Sequence, residues 1–276
     1  RQMCIRDRPC PRSRLFRAAC TTTAAPASQT AELPLLSTSL SPVRPLTHSA
    51  LLTPQGKLAF DFILQPVDAG FLIDCASDSA EAFVKKLNLY KLRRDVEITL
   101  TDIPVQVVWS DTSGAKKHEI EGFFEDPRAT RLGLRCLGAS PADLSDFTSS
   151  TAENWAKFRL SLGVPEGPTE MPPGSVFPME YGFERMGAID FQKGCFVGQE
   201  VTSRVHRKGS LRKTLHPAVF DAAVPPAGTP VMSEDSKVGE VVAGLDGNAL
   251  VLVRTDALTA SLRADGCTFR LRPGLF

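Results

Sequence analysis

Alternating apolar and polar positions predict a series of half-buried strands in the first half of the chain. Apolar residues occupy every second position from Leu58 to Leu64, after a turn at residues 53–56. Residues 71–75 follow the turn-rich segment 66–70 and predict the second strand of a hairpin. Further strands are expected at residues 96–100, 105–109 and 132–136, with a turn at residues 111–114.

Two segments have the spacing of amphipathic helices. Apolar residues fall on one face between Asp78 and Leu87, and Asp78 with Glu81 has the spacing of a capping box. Apolar residues also share one face across residues 151–162, and Gly163 ends that pattern. The first helix is expected to cover the predicted sheet.

The last third of the chain changes to short β-prone runs separated by turn residues. These runs lie at residues 215–220, 237–243, 248–254 and 268–272. Their spacing is typical of a small barrel or sandwich, so an all-β module is predicted after Arg204. A segment rich in proline and glycine, residues 165–178, is predicted as a loop.

Residues 1–48 are a different kind of sequence. They contain no glycine, eleven Ser or Thr, six Pro and one aromatic residue, without apolar periodicity. Such a stretch buries too little apolar surface to offset its ordering entropy, so we expect it to be disordered. It reads as a mitochondrial transit peptide, a basic tail for nucleic acid, or non-native sequence. The opening RQMCIRDR resembles translated adapter sequence, which favours the third interpretation.

Charge divides the chain at the same place. The whole chain has 32 basic and 31 acidic residues, but residues 1–48 carry a net charge of +5 and the other 228 residues a net charge of −4. The slight overall basic excess is therefore no sign of nucleic-acid affinity. No run approaches the roughly 18 apolar residues of a membrane helix, so no membrane association is expected. The cysteines are scattered without zinc spacing, which suggests free thiols in a reducing compartment.

Candidate chemistry concentrates in residues 190–204, which we call the signature segment. It reads DFQKGCFVGQEVTSR. Gly194 and Gly198 bracket Cys195 and permit a tight turn, and Lys193 lies two residues before the cysteine. A nearby cation, or a helix that begins around Gly198, would favour the thiolate of Cys195 and make it nucleophilic or metal-binding. A buried cysteine in a glycine-rich turn accounts for the same residues equally well.

The signature segment resembles that of a known family. KGCFVGQE is similar to the pattern Lys-Gly-Cys-Phe/Tyr-x-Gly-Gln-Glu of the YgfZ family of folate-binding iron–sulfur assembly factors, relatives of the glycine-cleavage T-protein. LLTPQGKLAFDF, RLSLGVPEG and FPMEYGFERMG resemble other stretches of the family, so the resemblance runs from about Ala50 to the C-terminus. Met179 and Phe158 stand where the family often has histidine, and any role for an imidazole is unavailable at those positions.

The resemblance implies an α+β fold of the T-protein (GcvT-like) type. Its α/β subdomains surround a central folate site, and a small β-barrel forms the C-terminal domain. It implies a folate-binding region at residues 49–203, divided at about residue 100 and truncated at its start, and a barrel domain at residues 204–276.

The resemblance also implies roles for particular residues. Cys195 is the expected reactive thiol and possible transient contact for an iron–sulfur cluster. Glu180 matches the glutamate that binds the pteridine in the T-protein, because a carboxylate accepts two parallel hydrogen bonds from an amino-pyrimidinone edge. Lys193 and Arg204 are candidates for the folate glutamate tail or for an anionic partner. The expected folate-binding set is completed by Gly194, Gly198, Gln199 and Glu200.

Three functions from different classes follow. The leading hypothesis is a tetrahydrofolate-binding protein that assists assembly or repair of iron–sulfur clusters, as a monomer with transient assembly-factor or client-enzyme partners. The second is a folate-dependent aminomethyl- or methyltransferase, which the cysteine in place of an acidic residue at position 195 argues against. The third is a folate-independent scaffold. A bacterial cytoplasmic location is expected, or the mitochondrial matrix if residues 1–48 are a transit peptide.

Overall fold

The computed structural model describes residues 2–5, 13–20, 37–38, 45–68, 70–92, 96–110, 119–138 and 140–274. Its strands, in chain order, are β1 (Gln2–Ile5), β2 (Ser13–Cys20), β3 (Thr47–Leu52), β4 (Leu58–Val67), β5 (Gly70–Ala76), β6 (Val96–Thr101), β7 (Val105–Ser110), β8 (Phe124–Glu125), β9 (Leu134–Leu137), β10 (Thr148–Ser149), β11 (Lys213–Phe220), β12 (Pro230–Ser233), β13 (Ser236–Leu245), β14 (Asn248–Arg254), β15 (Arg263–Ala264) and β16 (Cys267–Leu271). Its helices are α1 (Ser77–Lys91), α2 (Ala152–Leu162), α3 (Gly167–Glu170) and α4 (Gln199–Lys208). None of these helices has the length and hydrophobicity needed to cross a membrane.

The first sheet is antiparallel and has the order β3-β4-β5-β2-β6. The predicted hairpin is confirmed as β4 and β5, and α1 packs on the sheet. Phe83 of α1 is fully buried, and its ring lies 4.7 Å from Phe60 and 4.8 Å from Phe62. The predicted capping box is wrong, because the N-cap residue of α1 is Ala76 and no side chain caps the helix.

The second sheet has the order β10-β1-β7-β9-β8, with β1 parallel to β10 and antiparallel to β7. The helix α2 packs beside it, and the rings of Trp155 and Trp109 meet edge to face at 5.4 Å. The predicted boundaries of α2 are confirmed. The Thr151 hydroxyl accepts a hydrogen bond from the backbone N–H of Asn154, and Gly163 ends the helix in the left-handed conformation.

The C-terminal module is a closed barrel in the order β11-β14-β13-β12-β15-β16. Its interior is a separate hydrophobic cluster that includes Val231, Val251 and Phe269. Barrel closure leaves no unpaired edge on this module. The sequence pattern missed two of the six strands, β12 and the two-residue β15. The predicted boundary at residue 204 falls inside α4, and the first barrel strand begins at Lys213.

The N-terminal segment requires a correction. Disorder was predicted for residues 1–48, but β1 and β2 are strands within the two sheets. Ser37 is also buried, and its hydroxyl donates to the carbonyl of Ala188 at 2.6 Å. The disorder prediction is therefore wrong for these parts. Residues 6–12, 21–36 and 39–44 lie outside the described residues, as does the turn predicted at residues 111–114.

Candidate functional site

The signature segment forms an irregular turn that leads into α4. Gly198 is the N-cap residue of α4 and has a left-handed φ of 80°. The backbone N–H of Phe196 donates to Gln199 Oε1 at 3.2 Å, and the N–H of Gln199 donates back to the Phe196 carbonyl at 3.2 Å. These reciprocal hydrogen bonds close the turn immediately after Cys195, so the conformation of this stretch is specified by its own residues.

Only glycine fits at position 198. A Cβ atom there would lie 2.5 Å from the Thr53 carbonyl oxygen and 3.0 Å from the Gly56 Cα. Both the positive φ and this close approach exclude a larger residue without strain. The N-terminus of α4 is thereby packed directly onto the turn between β3 and β4. Gly194 is exposed and is not in the left-handed region.

Cys195 is exposed, and this distinguishes it from the other thiols whose side chains are described. Cys75 and Cys136 are buried, and Cys267 is partly buried. Burial raises the pKa of both the Cys75 and the Cys136 thiol, which keeps them protonated and unreactive. The alternative of a buried cysteine in a glycine-rich turn is therefore wrong for Cys195.

Lys193, Glu200 and Arg204 of the signature segment differ in their surroundings. Lys193 donates to the carbonyl of Thr38 at 3.4 Å. Glu200 is exposed in the first turn of α4, where a negative charge is favourable to the helix dipole. Arg204 is exposed on α4 and, within the described part of the chain, forms no ion pair.

A stacked histidine joins α4 to the loop that precedes the signature segment. The ring of His206 lies 3.9 Å from that of Phe191 at an interplanar angle of 17°. His206 Nδ1 also lies 2.7 Å from Glu184 Oε1. Both contacts fix α4 against the chain that leads to Cys195.

Glu180 lies where the loop before the signature segment meets the barrel. Its backbone carbonyl accepts a hydrogen bond from the Leu215 N–H of β11 at 2.9 Å. Its carboxylate is half-buried and has no hydrogen-bond partner among the described residues. Burial raises the pKa of this carboxyl, and the positive charge of Lys213 opposes that shift. The two positions that lack the family's histidine are packed instead: Met179 is buried, and Phe158 stacks on Trp109.

Sequence reasoning missed a buried ionic cluster that holds the central part of the molecule together. Arg135 donates to Asp74 Oδ2 at 2.6 Å and to Asp126 Oδ2 at 3.0 Å. Arg128 donates to both oxygens of Asp126 at 2.8–2.9 Å and to Glu166 Oε2 at 2.7 Å. The first sheet, the second sheet and the segment before α3 are thus joined by charged hydrogen bonds.

The cluster continues through Arg159, a buried residue of α2. Arg159 is 1% exposed and binds Glu170 through two hydrogen bonds of 2.6 and 2.8 Å. It also donates to the Val164 carbonyl just after the end of its own helix. We define the buried ionic cluster as Asp74, Asp126, Arg128, Arg135, Arg159, Glu166 and Glu170.

The carboxyl groups around this cluster differ in protonation. Burial alone would raise the pKa of Asp126 and Glu166, but the nearby arginines outweigh burial and hold both pKa values below their usual range. For Asp74 burial prevails over Arg135 and raises the pKa to about 6. For Asp61 on β4 burial raises the pKa to about 7.

His48 on β3 is the least satisfied polar side chain of this region. It is 3% exposed, and neither ring nitrogen has a hydrogen-bond partner of normal geometry among the described residues. Burial and the charge of Arg128 lower the pKa of His48 to about 3, so its imidazole is neutral.

A small cavity lies among these groups. It is lined by His48, Asp61, Asp74, Arg128, Arg135 and Glu166, with further apolar contacts, and has a volume of about 20 Å³. That is room for a water molecule and too little for a pteridine ring. Among the residues that the structure describes, no three His, Cys, Asp or Glu side chains are arranged to hold a metal ion.

The fold and the barrel define a class of protein. The structure resembles that of the glycine cleavage system aminomethyltransferase T from Bartonella henselae with a TM-score of 0.74 and 12% sequence identity, covering 99% of this chain and 85% of that protein. The predicted GcvT-like α+β fold is therefore confirmed. Residues 212–274 match the family model of the CAF17 C-terminal beta-barrel domain.

The sequence relatives narrow the class to one family. The chain is 30% identical over 259 residues to the human mitochondrial iron–sulfur cluster assembly factor IBA57, covering 84% of this chain and 72% of the relative. It is 29% identical over 261 residues to the mouse protein of the same name, with the same coverage. A homologue from Neurospora crassa is 31% identical over 203 residues, covering 64% of this chain and 46% of that relative. The chain belongs to the IBA57 family.

Proposed function

We propose that the protein assists the assembly or repair of iron–sulfur clusters, with Cys195 as the thiol that reacts with or contacts the cluster. The exposure of Cys195 on a turn fixed by Gly198 and Gln199 carries this proposal. The relatives are named as iron–sulfur cluster assembly factors, and this supports the proposal.

The position of Cys195 suits this chemistry. It lies just before α4, where the free N–H groups of the first turn and the helix dipole favour negative charge. A cluster normally takes four thiolate ligands, and one cysteine supplies only one of them. Other assembly factors or client enzymes therefore supply the rest, and the partnership is transient.

Rescue of iron–sulfur enzyme activity in cells that lack the endogenous factor tests the proposal. We expect no rescue by Cys195→Ala, because the thiol is lost from an exposed position where packing is unaffected. Cys267→Ala is the matched control, since that cysteine is partly buried in the barrel, and we expect it to rescue like the parent. Full rescue by Cys195→Ala would remove the cysteine from the function.

We propose further that a tetrahydrofolate binds beside Glu180. The supporting observation is a half-buried carboxylate without a hydrogen-bond partner in the described chain, which is suited to accept two hydrogen bonds from the pteridine. The cavity at Asp61 is too small for that ring, so Glu180 is the better place for it. Lys193 and Arg204 remain candidates for the glutamate tail. The structural role of Gly198 and Gln199 in the turn explains these two residues without a contact to folate.

A tetrahydrofolate titration followed by protein fluorescence tests this site. We expect Glu180→Ala to weaken binding about tenfold or more, since a hydrogen bond to a charged group contributes about 1.5–3 kcal/mol. Glu81→Ala, an exposed acid on α1, is the control and should bind like the parent. Equal affinity in all three proteins removes Glu180 from the site. Full cellular rescue by a Glu180→Ala protein that no longer binds folate supports a folate-independent scaffold instead.

A second candidate function is folate-dependent aminomethyl transfer. The observation that favours it is Asp61, whose pKa near neutrality suits a general acid or base and which lines the small cavity together with Arg128 and Glu166. One-carbon transfer at turnover rates by purified protein, abolished in Asp61→Asn, would support it. No transfer under the same conditions leaves the assembly role as the better account.

We propose a mitochondrial rather than a cytoplasmic location. The names of the relatives describe them as mitochondrial, which supports this location. Fractionation of cells that express the protein with a C-terminal tag tests this. Recovery in the cytosol alone would contradict it.

A further inference from the structure

The exposed side of α4 carries a row of positive charges. Arg204, Arg207, Lys208 and, just beyond the end of the helix, Arg212 are all exposed, and we call these four residues the cationic face. The first three share one side of the helix because residues three and four apart are neighbours on its surface. The opposite side of α4 is occupied by Thr202, which is buried, and by the stacked ring of His206.

The charges of the cationic face have no acidic partners within the described part of the protein. No carboxylate lies within 4.0 Å of any of their charged nitrogen atoms, and Arg207 donates only to the Ser203 carbonyl. Most arginines of the barrel are paired, and Arg272 is the exception among the described residues. The barrel residues Arg254, Arg263 and Arg270 each pair with an aspartate.

The cationic face also contrasts with the charge of the whole body. Residues 49–276 have a net charge of −4. The four cations of the cationic face, which have no acidic partner in the described chain, are nevertheless concentrated on α4 and just beyond its end. The helix is about 15 Å long at 1.5 Å per residue. Exposed Cys195 lies three residues before Gly198, the N-cap residue of α4, and Arg212 lies beyond the end of the helix, so the thiol and these charges belong to one continuous segment of the chain.

We propose that the cationic face docks an acidic surface of the partner protein that exchanges an iron–sulfur cluster at Cys195, an inference that rests on the proposed function. Complementary charge selects such a partner and speeds its encounter. A thiolate-ligated cluster adds negative charge at the contact. The short length of the face and the acidic body favour an acidic protein over a nucleic acid, whose binding needs an extended basic surface.

Charge reversal on two matched helices tests the docking surface. The probe is a fluorescein-labelled peptide of alternating Glu and Ala, and binding is measured by fluorescence anisotropy at 50 and 200 mM salt. We expect Arg204→Glu/Lys208→Glu to weaken binding at least tenfold. Lys85→Glu/Lys86→Glu makes the same change of charge on exposed positions of α1 and should stay within twofold of the parent. Parent binding should weaken with salt.

Several results would overturn the inference. One is equal peptide affinity in the parent and in both variants. Another is that the parent binds a 20-base-pair DNA duplex, or phosphatidylglycerol vesicles, more tightly than it binds the peptide. If circular dichroism shows that the Glu variant is unfolded, Arg204→Gln/Lys208→Gln replaces it, with a weakening of at least threefold expected and parent-like binding contradicting the proposal.

The docking surface and the proposed function fail separately. Cys195→Ser should bind the peptide like the parent, because the cationic face is intact. In cells, Arg204→Glu/Lys208→Glu should reduce rescue by at least half, and the α1 control should not. If only Cys195→Ser rescues fully, the cluster role is contradicted and the peptide result is unaffected. Full rescue by the α4 variant, with Cys195→Ser inactive, sinks only the docking surface.

Discussion

The buried ionic cluster and the cationic face use charge in opposite ways. In the cluster, Arg128, Arg135 and Arg159 are each at most 4% exposed, and every one is bound to carboxylates. Along α4, Arg204 and its neighbours are exposed and unpaired within the described chain. Buried charges must be paired because desolvation is costly, whereas exposed charges are free to meet another molecule. We therefore expect the first region to stabilise the fold, and we propose the second as a recognition surface.

The largest effect is expected inside the cluster. Arg128→Met leaves Glu166 without its 2.7 Å partner and Asp126 with Arg135 alone, and this should lower the free energy of unfolding by about 3–5 kcal/mol. Urea denaturation measures it. Lys157→Met at the exposed pair with Asp246 is the control and should cost about 1 kcal/mol or less. Similar losses at both sites would break the distinction between buried and exposed charge.

A smaller loss is expected at the turn that presents Cys195. Gly198→Ala forces a Cβ to 2.5 Å from the Thr53 carbonyl oxygen at a positive φ, and should cost about 2–3 kcal/mol. Gly209→Ala at the other end of α4 has a φ of 65° and open space, and should cost only about 1 kcal/mol. Thermal unfolding of both variants gives the comparison. Equal costs would mean that the contact with the β3–β4 turn is unimportant.

The cavity carboxyl groups should give stability an unusual dependence on pH. The folded-state pKa of Asp61 is raised to about 7 from 3.8, so its contribution is fully present below about pH 4 and is lost as pH rises through 7. Asp74 acts in the same direction with a pKa of about 6. Burial of His48 and His216 opposes this trend, because it lowers the pKa of both imidazoles, that of His48 from 6.5 to about 3, so their contribution to stability rises between pH 5 and about pH 6.5. The carboxyl groups still outweigh them, and unfolding at pH 5 and pH 8 should differ by on the order of 1 kcal/mol, less stable at pH 8.

Asp61→Asn sharpens that prediction. The amide keeps the shape of the neutral acid, so the variant should lose most of the difference in stability between pH 5 and pH 8. The exposed Asp68→Asn is the control and should retain the difference. A parent protein that is more stable at pH 8 than at pH 5 would contradict the protonation of Asp61 described above.

Local sequence was enough to predict what depends on local physics. The helix α2 has a hydroxyl cap at Thr151 and a glycine stop at Gly163, and four barrel strands have clear apolar runs. The signature segment is also local, because the hydrogen bonds of Phe196 and Gln199 span three residues. The segment that resembles a known family contains Cys195, which is exposed; its role stays a prediction.

The buried ionic cluster depends on contacts that no sequence window contains. Arg135 and Asp74 are 61 residues apart, and Arg128 and Glu166 are 38 apart. One local signal existed: Asp126 is followed two residues later by Arg128, whose backbone and side chain both bind it. The strands β1 and β2 were missed because their own composition does not favour strands. They are ordered by pairing, β1 with β7 and β2 with β5 and β6.

The central claim, that the exposed signature segment acts while the buried ionic cluster stabilises, is tested most directly by measuring rescue and stability on the same variant. Cys195→Ser changes one exposed atom. Our account predicts an unfolding free energy equal to that of the parent and no rescue of iron–sulfur enzyme activity in cells that lack the endogenous factor. Full rescue by a normally stable Cys195→Ser protein would contradict it.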